Sequence, residues 1–156
     1  MWWRLTAAEF ERRKGALNKR AMKALVRGGE EPGLLAYDGE EAVGWCAAAP
    51  RAAYPRLGRS RVLRPVDDAD VWSVVCFYVA KPRRRRGVAT ALLRAAVDFV
   101  RARGAKIVEG YPVEPAKGRT PDAFAYPGLA SSFSEAGFVE VARRSPTRPI
   151  MRRYLK

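Results

Sequence analysis

The sequence contains no histidine. That absence removes Ser-His-Asp and Cys-His nucleophile systems, zinc sites built on imidazole, and any mechanism in which histidine relays a proton. Cysteine is scarce as well. Cys46 and Cys76 each sit inside an apolar run with no CxxC pair, so neither a disulfide framework nor a thiolate metal site is indicated, and no metal is expected. No apolar stretch approaches the ~20 residues of a membrane span, and Met1-Trp2-Trp3-Arg4 lacks the apolar core of a secretory signal. The expectation is a soluble, reduced, cytoplasmic protein.

Acidic residues are also in short supply. The 156 residues carry 16 Asp plus Glu against 30 Lys plus Arg, a formal charge of +14. A chain of this length makes one domain and buries roughly two-thirds of its unfolded surface, enough for a hydrophobic core. Charge at this level calls for a polyanionic partner, which can be nucleic acid, an anionic membrane surface or a phosphate-rich cofactor.

The apolar residues Phe10, Ala16, Leu17, Ala21, Ala24 and Leu25 recur at helical spacing between Ala7 and about Arg27, with Gly15 a point of division and Gly28-Gly29 a stop. The runs Leu34 to Tyr37 and Ala42 to Ala49, joined through Asp38-Gly39-Glu40, predict a hairpin. Pro50 to Asp70 is a connection with a helical turn near Tyr54 to Leu57. Val71 to Val79 is apolar on both alternating faces, as in a central strand covered on both sides. A helix from Val88 to Arg103, with a stripe of Val88, Leu92, Ala96 and Phe99, leads to a strand from Ile107 to Val113 parallel to the first. A loop from Glu114 to Tyr126, a short helix from Leu129 to Ala136, and strands at Phe138 to Arg143 and about Ile150 to Leu155 complete one mixed α/β domain. Met1-Trp2-Trp3 looks like the middle of a strand more than a beginning, as a shortened first strand or a late chain start would give.

Arg84-Arg85-Arg86-Gly87-Val88-Ala89 lies between the buried strand and the amphipathic helix. A helix start leaves backbone N–H groups unpaired and carries partial positive charge, which makes it an anion site. Gly87 lets a phosphate approach the backbone, Ala89 is too small to block it, and the arginines add bidentate donors. Four adjacent arginines repel one another unless an anion relieves them. No Gly-Lys-Ser/Thr follows, which excludes a Walker A loop, and a lone Gly87 excludes a Rossmann fingerprint.

This stretch resembles the acetyl-CoA turn of the GNAT superfamily of N-acetyltransferases, (Gln/Arg)-x-x-Gly-x-(Gly/Ala), through Arg84, Gly87 and Ala89. The preceding Phe77-Tyr78-Val79, the strand after the helix, and Ser132-Phe133-Ser134-Glu135-Ala136-Gly137-Phe138 are similar to that family in the same order. The resemblance implies the GNAT fold: a mixed, mainly antiparallel sheet with helices on both faces and a central parallel pair that splays into a notch. It implies acetyl-CoA as cosubstrate, with Arg84, Arg85, Arg86, Gly87, Val88, Ala89 and Thr90 around its pyrophosphate and main-chain groups of Phe77 and Val79 along its pantetheine arm. It also implies direct transfer of the acetyl group to a small-molecule or protein amine in a ternary complex, by a monomer or homodimer. Segments such as Gly44-Trp45-Cys46-Ala47, Glu109-Gly110-Tyr111-Pro112 and Pro149-Ile150-Met151-Arg152 are similar to a bacterial subgroup of that family, from which no substrate carries over.

Acetyl transfer needs a neutral amine, whereas an alkyl amine of pKa ~10.4 is about 99.9% protonated near pH 7, a handicap of about 4.6 kcal/mol. Without histidine a carboxylate is the first candidate to accept that proton. Glu109 on the notch strand leads, with Asp67, Asp68 and Glu114 behind it; the other reading of Glu109 is an ion pair with an arginine. Many family members carry a tyrosine acid where this chain has Phe133, so Tyr126 and Tyr111 are the candidate hydroxyls, although a thiol of pKa about 8.5 leaves tolerably unaided. Cys76 is expected in the core. An acidic acceptor pocket around Asp67, Asp68 and Glu109 favours a cationic amine; a pocket faced by Arg51 and Arg56 favours an amine with an acidic group. An acyl-CoA-binding domain without turnover and a basic nucleic-acid-binding module are the competing functions, the latter lacking any recognition motif.

Overall fold

Gly39, at φ +60°, turns the chain between β1 (Gly33–Asp38) and β2 (Glu41–Pro50), an antiparallel hairpin where Asp-Gly predicts one. The computed structural model describes residues 1–115 and 125–156. Within them a six-stranded sheet runs in the order β1-β2-β3-β4-β6-β5, with β3 (Trp72–Val79), β4 (Ile107–Gly110), β5 (Val139–Arg143) and β6 (Pro149–Tyr154). The β3–β4 pair is parallel and the other neighbours are antiparallel.

Among the described residues five α-helices surround the sheet: α1 (Ala7–Arg12), α2 (Ala16–Arg27), α3 (Pro55–Arg59), α4 (Val88–Arg101) and α5 (Ala130–Glu135). Thr6 and Glu9 form a reciprocal capping box at the start of α1, and Gly15, at φ +78°, separates α1 from α2. On one side of the sheet Cys46, Ala48, Val74, Phe77, Val108 and Met151 pack against α4 and α5. On the other, Ala49, Val75, Tyr111 and Ile150 pack against Trp3, Tyr54, Leu57 and Leu63. The face that α4 buries is Leu92, Leu93, Ala96, Val97 and Val100. Val88 and Phe99 of the expected stripe lie at its margin, only partly covered.

Two expectations are corrected. Trp2–Arg4 is a 3₁₀ turn, not a strand: Arg4 N–H donates locally to the Met1 carbonyl (3.0 Å), Trp3 inserts into the core, and the Arg56 guanidinium stacks 3.6 Å from the Trp2 ring centre. The strand at Ile107 is also shorter than expected. It ends at Gly110, and Val113 forms only an isolated bridge with Leu129. Pro112 has no N–H to continue the ladder, and Gly110 yields its side-chain space to Phe133, whose Cε1 would lie 2.0 Å from a Cβ built there.

The sheet opens where β3 and β4 part. Their register is Trp72 with Val108, Ser73 with Glu109 and Val74 with Gly110, and pairing ends there while β3 continues to Val79. Immediately beyond, β2 pairs Ala48 with Val74 and Ala47 with Cys76, leaving Val75 as the extra residue of a β-bulge. A bulge bends the strand that carries it, and this one falls where the β3–β4 pairing ends. Residues 126–129 occupy the gap: Phe77 N–H donates to the Tyr126 carbonyl (2.7 Å) and Val113 N–H to the Gly128 carbonyl (2.9 Å).

Candidate active site

The turn that opens α4 has the backbone of an anion cradle. Arg85 sits at φ +61° and Gly87 at φ +76°, so left-handed residues alternate along the turn, the kind of backbone from which anion-binding nests are built. A left-handed arginine costs of order 1–3 kcal/mol, strain of the kind that concentrates at ligand sites. No side chain caps α4, and Gly87 has open space where its Cβ would stand. The first-turn amides of Val88, Ala89 and Thr90 have no side-chain partner within the helix.

From this turn a groove of about 460 Å³ runs along Phe77, Tyr78 and Val79, past Arg83, Arg84 and Arg85, to Tyr126, Gly128, Leu129 and Ser132. No carboxylate lines it among the described residues. The four arginines divide the work. Arg83 bonds Asp38 on the hairpin (2.6 Å), Arg84 Nε donates to the Val79 carbonyl (3.0 Å) and braces the turn against β3, and Arg85 and Arg86 are exposed. The main-chain groups expected along a pantetheine arm are therefore already engaged, the Phe77 N–H by Tyr126 and the Val79 carbonyl by Arg84.

Tyr126 stands at the junction of the site. It lines the groove and two further cavities on the opposite side of the sheet. Burial holds its phenol above the ordinary value, opposed by the positive charge of Arg148, so it keeps its proton at neutral pH. Its ring lies 6.5 Å from that of Trp3. One of the two cavities, about 390 Å³, is apolar and aromatic, walled by Trp3, Phe10, Trp45, Tyr54 and Cys76. Its neighbour, about 540 Å³, shares Trp2, Trp3 and Tyr126 and adds Arg56, Arg59 and Arg148. Cys76 is thus half-buried at a cavity wall instead of deep in the core, and burial raises its thiol pKa, which leaves it un-ionised.

Glu109 lies elsewhere. Its carboxylate is 0% exposed and lines none of the described cavities. One oxygen accepts from Arg51 Nη1 (2.5 Å) and Tyr111 OH (2.6 Å), the other from Arg152 Nε (2.7 Å). Arg152 clasps Asp67 through both terminal nitrogens at 2.7 and 2.8 Å, and Tyr111 OH also shares a hydrogen bond with Ser73 Oγ (2.8 Å). Every group around Glu109 is a donor, so of its two readings the ion pair describes what the chain forms. Tyr111 belongs to the same cluster, its phenol pushed up by burial and then by Glu109. Asp68 is exposed, and Glu114 pairs with Arg143. Phe133, in the position of the family's tyrosine, is 0% exposed and wedged among Gly110, Gly128, Phe77 and Phe138.

The acceptor-side loop expected from Glu114 to Tyr126 falls partly on residues 116–124, outside the described residues. Of the two arginines that could face an acceptor, Arg56 lines the larger cavity beyond Tyr126, whereas Arg51 pairs with Glu109. Arg59 and Arg148 join Arg56 without any local signal in the sequence, because Arg148 is carried in from the β5–β6 turn.

A sheet with one parallel pair parting at a bulge beside a phosphate-type turn defines an acyl-CoA N-acyltransferase fold. Residues 1–116 match the sequence model of the acetyltransferase (GNAT) family, and the chain belongs to that family. No curated protein matches the sequence significantly. Among solved structures, the fold is shared with the GNAT acetyltransferase of Streptococcus pneumoniae at TM-score 0.56 and 11% identity, over 92% of this chain and 78% of that one. The ribosomal-protein-alanine N-acetyltransferase of Brucella melitensis gives TM-score 0.55 and 18% identity, over 90% and 80%. The NatC complex, solved with a Gag peptide and CoA, gives TM-score 0.55 and 11% identity, over 88% and 79%.

Proposed function

We propose that the protein is an acetyl-CoA-dependent N-acetyltransferase that moves the acetyl group directly to an amine acceptor in a ternary complex. The observation that carries this reading is the meeting at Tyr126 of an anion-cradling groove on one side of the sheet with acceptor-sized cavities on the other.

The cofactor fits the residues present. The Arg85–Thr90 backbone suits a pyrophosphate, the acid-free groove along Phe77 to Val79 suits a pantetheine arm, and Gly87 leaves room a side chain would fill. Acetyl-CoA supplies an activated thioester: the C–N bond to the amine forms, the C–S bond breaks, the nitrogen loses a proton and the CoA sulfur gains one. For this chain the Phe77 N–H is the donor beside the opening, available once the Tyr126 carbonyl gives way. The Tyr126 phenol, un-ionised and facing both sides, is placed to hand a proton to the departing thiolate. Glu109 and Tyr111 hold β3, β4 and β6 in place and act by positioning, while water takes the amine proton.

Two measurements test this. Acetyl-CoA should raise the melting temperature by mass action, and incubation with amines should release CoA thiol. No melting shift at saturating acetyl-CoA would sink the proposal. A shift without turnover on any amine would leave an acyl-CoA-binding domain instead.

A further inference from the structure

The cavities beyond Tyr126 carry charge of one sign. Their charged side chains are Arg4, Arg56, Arg59 and Arg148, with no Asp or Glu among the described lining residues. Arg4 has Glu30 at 3.6 Å. Arg56 and Arg148 have no carboxylate partner among the described residues. Arg56 Nε donates to the Leu5 carbonyl (3.2 Å) and its guanidinium stacks on Trp2, while its Nη2 is buried without a partner. Arg148 Nη2 donates to the Tyr111 carbonyl (3.1 Å), and its Nε is buried without a partner. Trp3 Nε1 and Tyr54 OH, in the same walls, are orphaned too. The buried Arg152 and the half-buried Arg51, by contrast, are met by acids, the first by Glu109 and Asp67 and the second by Glu109. Leaving two half-buried guanidinium groups uncompensated beside a cavity costs stability unless something else brings the anion.

We infer that the acceptor is an amine that also carries an oxyanion group, carboxylate or phosphate, on an apolar body, with the oxyanion held by Arg148, Arg56 and Arg59 and the body lying against Trp2, Trp3 and Tyr126. This rests on the acetyltransferase reading and narrows it. Polyamines and basic peptides are excluded, since their extra ammonium groups would enter a cavity that offers no carboxylate among its described lining residues. The same field has a chemical use. Cations close to an acceptor ammonium favour its neutral form, the nucleophile, at a site where histidine is absent and Glu109 is enclosed. The oxyanion screens the arginines for binding, while the amine end, nearer Tyr126, stays beside their charge.

The test compares phenylalanine and methionine with their carboxamides, aminoethyl phosphate with ethanolamine, and spermidine with a lysine-rich peptide. Acetyl transfer is read by thiol release, and binding by calorimetry in the presence of CoA. Each oxyanion amine should exceed its neutral partner by about 10-fold or more in kcat/KM or affinity, because a site built for a charged group rejects the analogue lacking it. The carboxylate and phosphate arms say which oxyanion is preferred. Arg148→Gln should erase the difference, and Arg59→Glu, at an exposed position that spares the fold, should reverse it. Equal use of amides, or preferential acetylation of spermidine or the basic peptide, overturns the inference and leaves the acetyltransferase reading intact. Failure of acetyl-CoA to bind removes that reading, while calorimetry without CoA still scores the pocket. If no oxyanion amine binds wild type better than Arg148→Gln under either condition, the inference is overturned.

Discussion

The main-chain carbonyl of Tyr126 accepts a hydrogen bond from the Phe77 amide at 2.7 Å, across the gap that opens between β3 and β4. Because that bond uses backbone atoms, the tyrosine side chain is free to serve the cavities on both sides. Tyr126→Phe should therefore keep the turn and the acetyl-CoA melting shift while lowering kcat about 10- to 100-fold, the lower range for loss of a proton donor to a good leaving group. Burial holds the phenol above 10.0, so the wild-type alkaline limb should lie above that value and vanish in the variant. Steady-state kinetics against pH decide it; an unchanged kcat would take Tyr126 out of the chemistry.

Gly87 combines a left-handed φ of +76° with empty space around its missing Cβ. At a hundredfold excess over Kd, acetyl-CoA should stabilise the wild type by about 2.7 kcal/mol, or roughly 5–10 °C in a domain of this size. Gly87→Glu places a carboxylate over the cradle and strains the backbone, so the ligand-induced shift should disappear. The unliganded melting temperature should fall by about 2–8 °C from the backbone strain alone, since nothing else packs there. A retained shift would move the phosphate site away from this turn.

Phe133 and Gly110 are packed as one unit. A Cβ at Gly110 would stand 2.0 Å from Phe133 Cε1 and 2.7 Å from its Cζ, so the ring lies flush against the end of β4. Phe133→Tyr would put a hydroxyl into a fully buried site. It should cost about 1–3 kcal/mol through overpacking and an unmet polar group and should not raise kcat. Gly110→Ala should be worse alone than beside Phe133→Leu, a non-additive cycle measurable by urea unfolding. Additive effects would separate the two residues.

Glu109→Gln discriminates between structural and chemical roles. The carboxylate balances Arg51 and Arg152 in the buried cluster, and removing one member of such a set costs about 3–5 kcal/mol. Activity per folded molecule should stay within a few-fold of wild type while the urea midpoint drops. A normal midpoint with lost turnover would make Glu109 the base.

Much of this arrangement follows from local pattern. The hairpin is announced by Asp38-Gly39, the central strand by an apolar run on both faces, and the cradle by Gly87 between that strand and an amphipathic helix, because each depends on neighbours in the chain. The acceptor side depends on contacts between distant segments. Arg56 and Arg148 meet only in the folded chain, and no periodicity distinguishes them from the arginines around them. Part of the excess positive charge has a similar explanation. Arg144 donates to the Val62 (3.4 Å), Arg64 (2.6 Å) and Pro65 (3.0 Å) carbonyls. With its donors spent on main-chain oxygens of a distant loop, it adds to the positive count without drawing on an acid.

Asp67 ties the long connection after β2 to β6 through its bidentate bond with Arg152, and that hydrogen-bonded pairing draws its carboxyl from 3.8 to about 2. A carboxyl whose folded pKa is depressed contributes stability that is complete above its unfolded value and is lost as the pH falls through the folded one. The contribution should therefore fade between 3.8 and about 2. Asp67→Asn removes the charge at every pH, so its unfolding free energy should lie below wild type at neutral pH and change less across that window. Denaturant unfolding at a series of pH values measures both slopes. The two proteins should converge at the acid end, where wild-type Asp67 is itself protonated. If they stay a constant distance apart, the pair with Arg152 is not what anchors the connection, and the Arg144 bonds to the Arg64 and Pro65 carbonyls hold it alone.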